Sequence, residues 1–287
     1  MGRGLAAESQ RLIQQAYDVL AIEHPSGVRR VAYALFGNQA GQYVKKLGEL
    51  LTRARKSGAI PWDWISDETR PERAPLVVTD VGGMRDLHRT CPDYDPWQEQ
   101  AVRVVVWSEK SVGGTLAPVL DSLLVPFQVH HGNTSTTVMH NVARATREDD
   151  RRLVILYVGD HDPKGLRISE DDIPKRLADH RAADVRVKRL AILHGDAVRL
   201  VTVKDAFKPD DRDVNWYRRR TGLDYGVELE AIPSTELRDR VEAAIREEIT
   251  NVGGWNRTME MSRVVRESWQ AYVDAWPASA IQGLGSE

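Results

Sequence analysis

Between residue 101 and about residue 205, short runs of β-branched residues alternate with segments of helical period. That alternation restricts this stretch to an α/β fold, a parallel sheet with helices on both faces. Strand 102–107 precedes helix 113–123, and strand 125–129 precedes helix 134–145 across the turn His130-His131-Gly132-Asn133. Strand 153–158 precedes helix 171–180, and strand 185–193 ends the series. The run Leu153-Val154-Ile155-Leu156 is apolar on both faces, as a strand covered on both sides requires.

Two of these strands end in acids. Leu153–Val158 runs into Gly159-Asp160-His161-Asp162-Pro163-Lys164-Gly165, and Arg103–Trp107 runs into Ser108-Glu109-Lys110. The C-terminal edge of an open α/β sheet is where ligands and metals sit. Two like charges about 4 Å apart repel by roughly 4 kcal/mol at an effective dielectric near 20. A cation shared by Glu109, Asp160 and Asp162 relieves that cost. All-oxygen ligands favour Mg²⁺, with Mn²⁺ as a substitute. The competing reading makes the three acids loop caps and salt-bridge partners. Lys110 either meets a phosphate or points into solvent. His130, His131 and His161 match no zinc spacing. Gly132-Asn133-Thr134-Ser135 opens a helix, whose free N–H groups either meet a phosphate or are capped by Asn133 or Thr134.

The front of the chain reads as three helices. Gln10–Glu23 is amphipathic, Val28–Phe36 follows the break His24-Pro25-Ser26-Gly27 with Ser26 as its cap, and Gln42–Lys56 ends at Ser57-Gly58. Residues 59–65 read as a strand running on into 66–70. Three helices followed by a strand pair is the plan of a winged helix. Its third helix is basic, with Lys45, Lys46, Arg53, Arg55 and Lys56, and such helices commonly lie on DNA. Residues 1–60 carry nine Lys/Arg against four Asp/Glu, whereas residues 221–287 carry six against twelve. This asymmetry fits a nucleic-acid-facing front. Trp62 and Trp64 are expected to anchor the wing. The expected organisation is a winged-helix domain over 1–75, a linker with a short helix near 81–88 over 76–100, a parallel-sheet domain over 101–205, and a helical extension over 206–287. Within that extension, helices are expected near 212–220, 234–249 and 262–276. Asp205, Lys208, Asp211, Glu228 and Glu230 either extend the active site or, as the preferred reading, are solvated charge.

One cysteine, Cys91, excludes an intrachain disulfide and fits a reducing compartment. No apolar run reaches membrane-span length, and Met1-Gly2-Arg3-Gly4-Leu5 lacks a signal core, so a cytoplasmic protein is expected.

Glu109 after the first strand, Gly132 after the second, and Asp160-x-Asp162-x-x-Gly165 after the third together resemble the Toprim domain of topoisomerases, primases and some nucleases. Ser108-Glu109-Lys110, His131-Gly132-Asn133-Thr134-Ser135 and Gly159-Asp160-His161-Asp162-Pro163-Lys164-Gly165 narrow the resemblance to the topoisomerase VI A subunit and its meiotic double-strand-break relatives. The resemblance spans roughly residues 10–200. It implies a winged helix ahead of a Toprim domain and Mg²⁺-dependent cleavage of double-stranded DNA, with Glu109, Asp160 and Asp162 at the metal. Glu109 would either join the metal ligands or act as general acid/base. It further implies a homodimer, in which each tyrosine works with the other subunit's metal site, and a separate ATPase subunit wherever strand passage is driven. The family's tyrosine pattern falls on Arg29-Arg30-Val31-Ala32-Tyr33. Tyr33 matches, while Arg30 and Ala32 stand where the family has an acidic and an aromatic residue. Tyr33 would form a 5′-phosphotyrosyl link with help from Arg29, or pack between helices and leave cleavage to a metal-activated water. The third reading is a non-catalytic DNA-binding protein that keeps the fold.

Overall fold

The expected alternation folds into four parallel strands in the order β2-β1-β3-β4: β1 Val102–Ser108, β2 Phe127–Val129, β3 Arg152–Val158 and β4 Val185–Ala191. This computed structural model describes residues 7–65, 91, 93–130, 136–200, 206–207 and 213–275. The chain divides into two compact units, one of residues 1–70 with 102–248 and the other of residues 71–101 with 249–287. The tail beyond residue 206 is therefore shared between them.

In the first unit three helices come first: α1 Ala7–Glu23, α2 Val28–Phe36 and α3 Ala40–Lys56. Ser26 does not cap α2. The N-cap is Gly27, and the Ser26 hydroxyl bonds Ser234 Oγ at 2.9 Å. The strand expected over 59–65 is absent. Trp62–Trp64 form a 3₁₀ turn, and only an isolated bridge joins Ser26 to Ile65. Aromatic stacking outweighs strand propensity here, since Trp64 lies flat on His24 at 4.7 Å and against Tyr17 at 5.1 Å. Trp62 remains 59 % exposed. Residues 66–70 and the helix expected at 81–88 lie outside the described residues.

Between the strands run α4 Gly113–Ser122, α5 Thr136–Arg147, α6 Pro163–Arg167 and α7 Ile173–Asp179, with a π-helical turn at Ile168–Asp172 joining the last two. The helix expected at 171–180 thus starts eight residues earlier, because Asp162 caps α6 through Gly165 N–H. β4 ends at Ala191, short of the expected Leu193, and α8 His194–Arg199 follows without a clear sequence signal. α9 Val214–Thr221 and α10 Ser234–Glu247 complete the unit.

Strand alternation sends Trp107, Leu153, Ile155 and Tyr157 to one face, where Met139 of α5 and Ile173 and Leu177 of α7 bury them. α10 packs on α4 and over β3 and β4 on the other face. The helix after β1 and the helices after β3 therefore cover opposite faces, which makes the neighbouring tips of β1 and β3 the topological switch point. A Cβ on Gly165 would lie 2.5 Å from the Asp160 carbonyl oxygen and 3.1 Å from Asp162 Oδ1. Gly165→Ala is therefore expected to destabilise the protein by ~1–3 kcal/mol in urea unfolding. An unchanged midpoint would contradict this close approach.

In the second unit, α11 Val252–Ala275 packs on a 3₁₀ turn at Pro96–Glu99. Trp97 meets Trp255 edge-on at 5.2 Å, and Gln100 and Asn251 exchange hydrogen bonds of 2.9 and 3.1 Å. α11 begins ten residues before the helix expected at 262–276. No described helix is long and apolar enough to cross a membrane.

Candidate active site at the strand tips

The tips of β1 and β3 are pinned from both sides. Glu109 N–H donates to the Val158 carbonyl at 3.3 Å, and Gly159 N–H to the Ala191 carbonyl at 2.8 Å. The fixed tips place Glu109, Lys110, Asp160 and Asp162 at the switch point. Asp160 is 6 % exposed. Its Oδ1 accepts from Leu229 N–H at 2.8 Å, and its Oδ2 pairs with Lys110 Nζ at 3.0 Å. Asp162 Oδ1 accepts from Gly165 N–H at 2.6 Å. Glu109 Oε2 is buried with no hydrogen-bond partner among the described residues.

A return of the tail completes the site. His161 and Val227 exchange backbone hydrogen bonds of 2.8 and 3.0 Å, which lays residues 227–230 along the tip of β3. Glu228 and Glu230, expected as solvated charge, are instead mostly buried beside Lys110, with carboxylate oxygens 3.9 and 3.7 Å from its Nζ. The apolar-acidic alternation Val227-Glu228-Leu229-Glu230 was the available signal, although Leu229–Ala231 form a 3₁₀ turn, with Glu228 at its start, rather than an extended strand. Arg29 of α2 donates to Glu228 Oε2 at 2.6 Å and lies 3.7 Å from Glu230. Tyr33, 5 % exposed, donates its hydroxyl to the same Glu228 oxygen at 3.1 Å. Tyr33 and Asp160 thus belong to one cluster within a single chain, joined through Glu228 and Lys110.

Burial pushes the Asp160 carboxyl up to about 7, against the pull of Lys110. Burial and then the charge of Asp162 raise Glu109, partly offset by Lys110 and Lys164. Burial opposes the charge on Lys110 as well, yet Asp160, Glu230 and Glu228 hold its pKa well above the ordinary lysine value. Lys110 is therefore an ammonium at neutral pH, and it faces these carboxylates rather than solvent.

The remaining expected residues are scattered. Lys45, Lys46, Arg53 and Lys56 are exposed on α3, with Lys46 3.5 Å from Glu8. Arg55 is half-buried and its guanidinium lies 4.8 Å above the Trp62 ring. His161 is buried, held near 4 by desolvation, with Nδ1 2.6 Å from the Tyr217 hydroxyl. His130 sits edge-on against Trp107 at 4.3 Å, and burial takes it to about 4, so it is a neutral core imidazole. His131, Gly132–Ser135, Asp205, Lys208 and Asp211 lie outside the described residues.

The donors fit a hard divalent cation. They are carboxylates, Glu109 and Asp160 have raised proton affinity, and the buried Glu109 Oε2 has no hydrogen-bond partner among the described residues. As they stand, no three His, Cys, Asp or Glu side chains among the described residues converge as a ligand set, and Lys110 neutralises Asp160. Glu109→Gln removes an unpartnered, partly buried charge. It is expected to stabilise the metal-free protein by ~1 kcal/mol at pH 7, read from urea unfolding. A destabilised variant would reveal a partner for Glu109 in solution.

Comparison of the chain with protein-family models, curated proteins and solved structures gives no match.

Proposed function

We propose that this protein cleaves double-stranded DNA in a Mg²⁺-dependent reaction at the tips of β1 and β3. The observation that carries the reading is that the neighbouring tips of β1 and β3 bear Glu109, Asp160 and Asp162, near enough that Asp162 adds to the raised proton affinity of Glu109, and Glu109 to that of Asp160. Asp160 and Asp162 would hold the ion, which when bound supplies a Lewis acid at the scissile phosphate, and Glu109 would either join them or act as general acid/base. Glu109 keeps a proton more readily than an ordinary glutamate, which suits donation to a leaving 3′ oxygen. Lys110, drawn from Asp160, is placed to meet phosphate charge. The exposed basic residues of α3 offer a sequence-independent backbone contact.

Two routes to the break are distinguished by Tyr33. Glu228 accepts its hydrogen bond and could take its proton, which supports attack by the phenolic oxygen and a 5′-phosphotyrosyl link. Its 5 % exposure favours the second route, hydrolysis by water with Tyr33 as a packing residue. Supercoiled plasmid is incubated with protein and Mg²⁺, then treated with SDS and protease. Protein trapped on 5′ ends, and loss of cleavage in Tyr33→Phe, identify the covalent route. Free ends and an active Tyr33→Phe identify hydrolysis. Intact plasmid in both Mg²⁺ and Mn²⁺ contradicts the proposal.

A further inference from the structure

Beside the acid cluster, and sharing Arg29, Lys110 and Glu230 with it, lies a cavity of about 470 Å³. It opens between α2, α3, α4 and the start of α10. Arg29, Arg30, Arg55 and Lys110 line it, against one carboxylate, that of Glu230. Three helices begin on its wall with N-caps (Gly27 for α2, Val112 for α4, Pro233 for α10) that supply no side-chain hydrogen bond, although the first N–H of α10, that of Ser234, is taken by Glu23 Oε2 at 3.1 Å. Helix N-termini present unsatisfied N–H groups and a positive dipole end. Val44, Val112 and Leu237 add apolar wall.

The cations differ in what they still have to give. Arg29 is bound to Glu228, Arg30 to Glu23 and to the carbonyl oxygens of Glu230 and Ala231, and Lys110 to Asp160. Arg55 meets only the Trp62 ring among the described residues, and its buried Nε has no hydrogen-bond partner. A half-buried guanidinium with unspent donors, facing a cavity where helices begin, is arranged for an anion that is absent from the protein itself. The volume lies within the range of small-molecule sites, and the apolar wall suits a ring rather than a bare ion.

We propose that this cavity binds a phosphorylated small molecule of mononucleotide size, with the phosphate on Arg55. The inference stands apart from the cleavage chemistry and would survive its failure.

Isothermal titration of the full chain with adenosine monophosphate, and separately with inorganic phosphate, tests it. The nucleotide is expected to bind more tightly than phosphate, and Arg55→Met to weaken both about tenfold or more. Val44→Phe, which fills the cavity and keeps Arg55, is expected to remove nucleotide binding even if Arg55→Met fails to fold. Absence of binding by both probes at millimolar concentration overturns the proposal. So does nucleotide binding that both variants leave unchanged. Binding of a DNA duplex that Arg55→Met weakens, with no binding of the nucleotide, would assign the cavity to a nucleic-acid track and likewise overturn it.

Discussion

Asp160→Asn is expected to lower Mg²⁺-dependent plasmid cleavage by on the order of 10³-fold, while the protein stays folded. The substitution is isosteric. Asn keeps an oxygen for the Leu229 N–H that Asp160 Oδ1 accepts at 2.8 Å, so the return of the tail survives. What disappears is the charge that would hold a cation and that now faces Lys110 at 3.0 Å. The same residue sets a pH dependence. Asp160 titrates at about 7 in the fold against 3.8 for an ordinary aspartate. The folded protein therefore holds a proton that the unfolded chain releases. The stability this group contributes is complete below pH 3.8 and is lost as the pH rises toward 7. A cation reverses the preference by selecting the carboxylate. Mg²⁺ binding should thus release a proton and weaken as the pH falls below 7, and urea midpoints of the metal-free Asp160→Asn variant should vary less between pH 4 and 7. A variant that cleaves at the wild-type rate would remove Asp160 from the reaction.

Arg189→Met is expected to cost ~3–5 kcal/mol of stability, the largest effect of any single polar substitution near the site. Its guanidinium ties four segments to one another. Nε donates to the Ile192 carbonyl at 3.0 Å. Nη1 reaches the Gly165 carbonyl at 3.0 Å and Ser169 Oγ at 2.6 Å. Nη2 reaches the carbonyls of Gly159, at 2.9 Å, and Asp160. Met preserves the apolar stem and withdraws all of these bonds. The Gly159 carbonyl keeps Ile192 N–H and the Gly165 carbonyl keeps Ile168 N–H, so the cost falls on the other acceptors in a site that burial has made costly for polar groups. Because Gly159 and Asp160 are among the acceptors, cleavage should fall along with stability, although Arg189 is placed to act only through the position of the β3 tip. Urea unfolding measures the loss. A change below ~1 kcal/mol would mean that water replaces the guanidinium.

The parallel sheet was legible because its signals are local. Leu153–Val158 is apolar on both faces, each strand is followed by a helical period, and Asp160-x-Asp162 and Glu109 stand directly after strands that end at the switch point. α2 matches its expected limits, Val28–Phe36, for the same reason, with Gly27 and Gly37 at its ends. What stayed hidden depends on pairings far apart in the chain. Ser26 looked like a helix cap because nothing local announces Ser234, its partner 208 positions away. Glu228 and Glu230 read as solvated charge until the His161–Val227 bridge carries them to Lys110. Arg189 sits in a strand whose other charges, Arg186 and Lys188, pair with Glu248 and Glu247, so its inward role left no mark in the pattern. Trp62-Asp63-Trp64 has strand composition, but the 3₁₀ turn lets Trp64 stack on His24.

Anomalous scattering from crystals soaked in Mn²⁺ tests the central claim most directly. A peak within ligand distance of Glu109, Asp160 and Asp162, with Lys110 displaced from Asp160, is the expected result. No peak there, with Lys110 still on Asp160 at saturating Mn²⁺, would contradict a metal-dependent reaction at the strand tips.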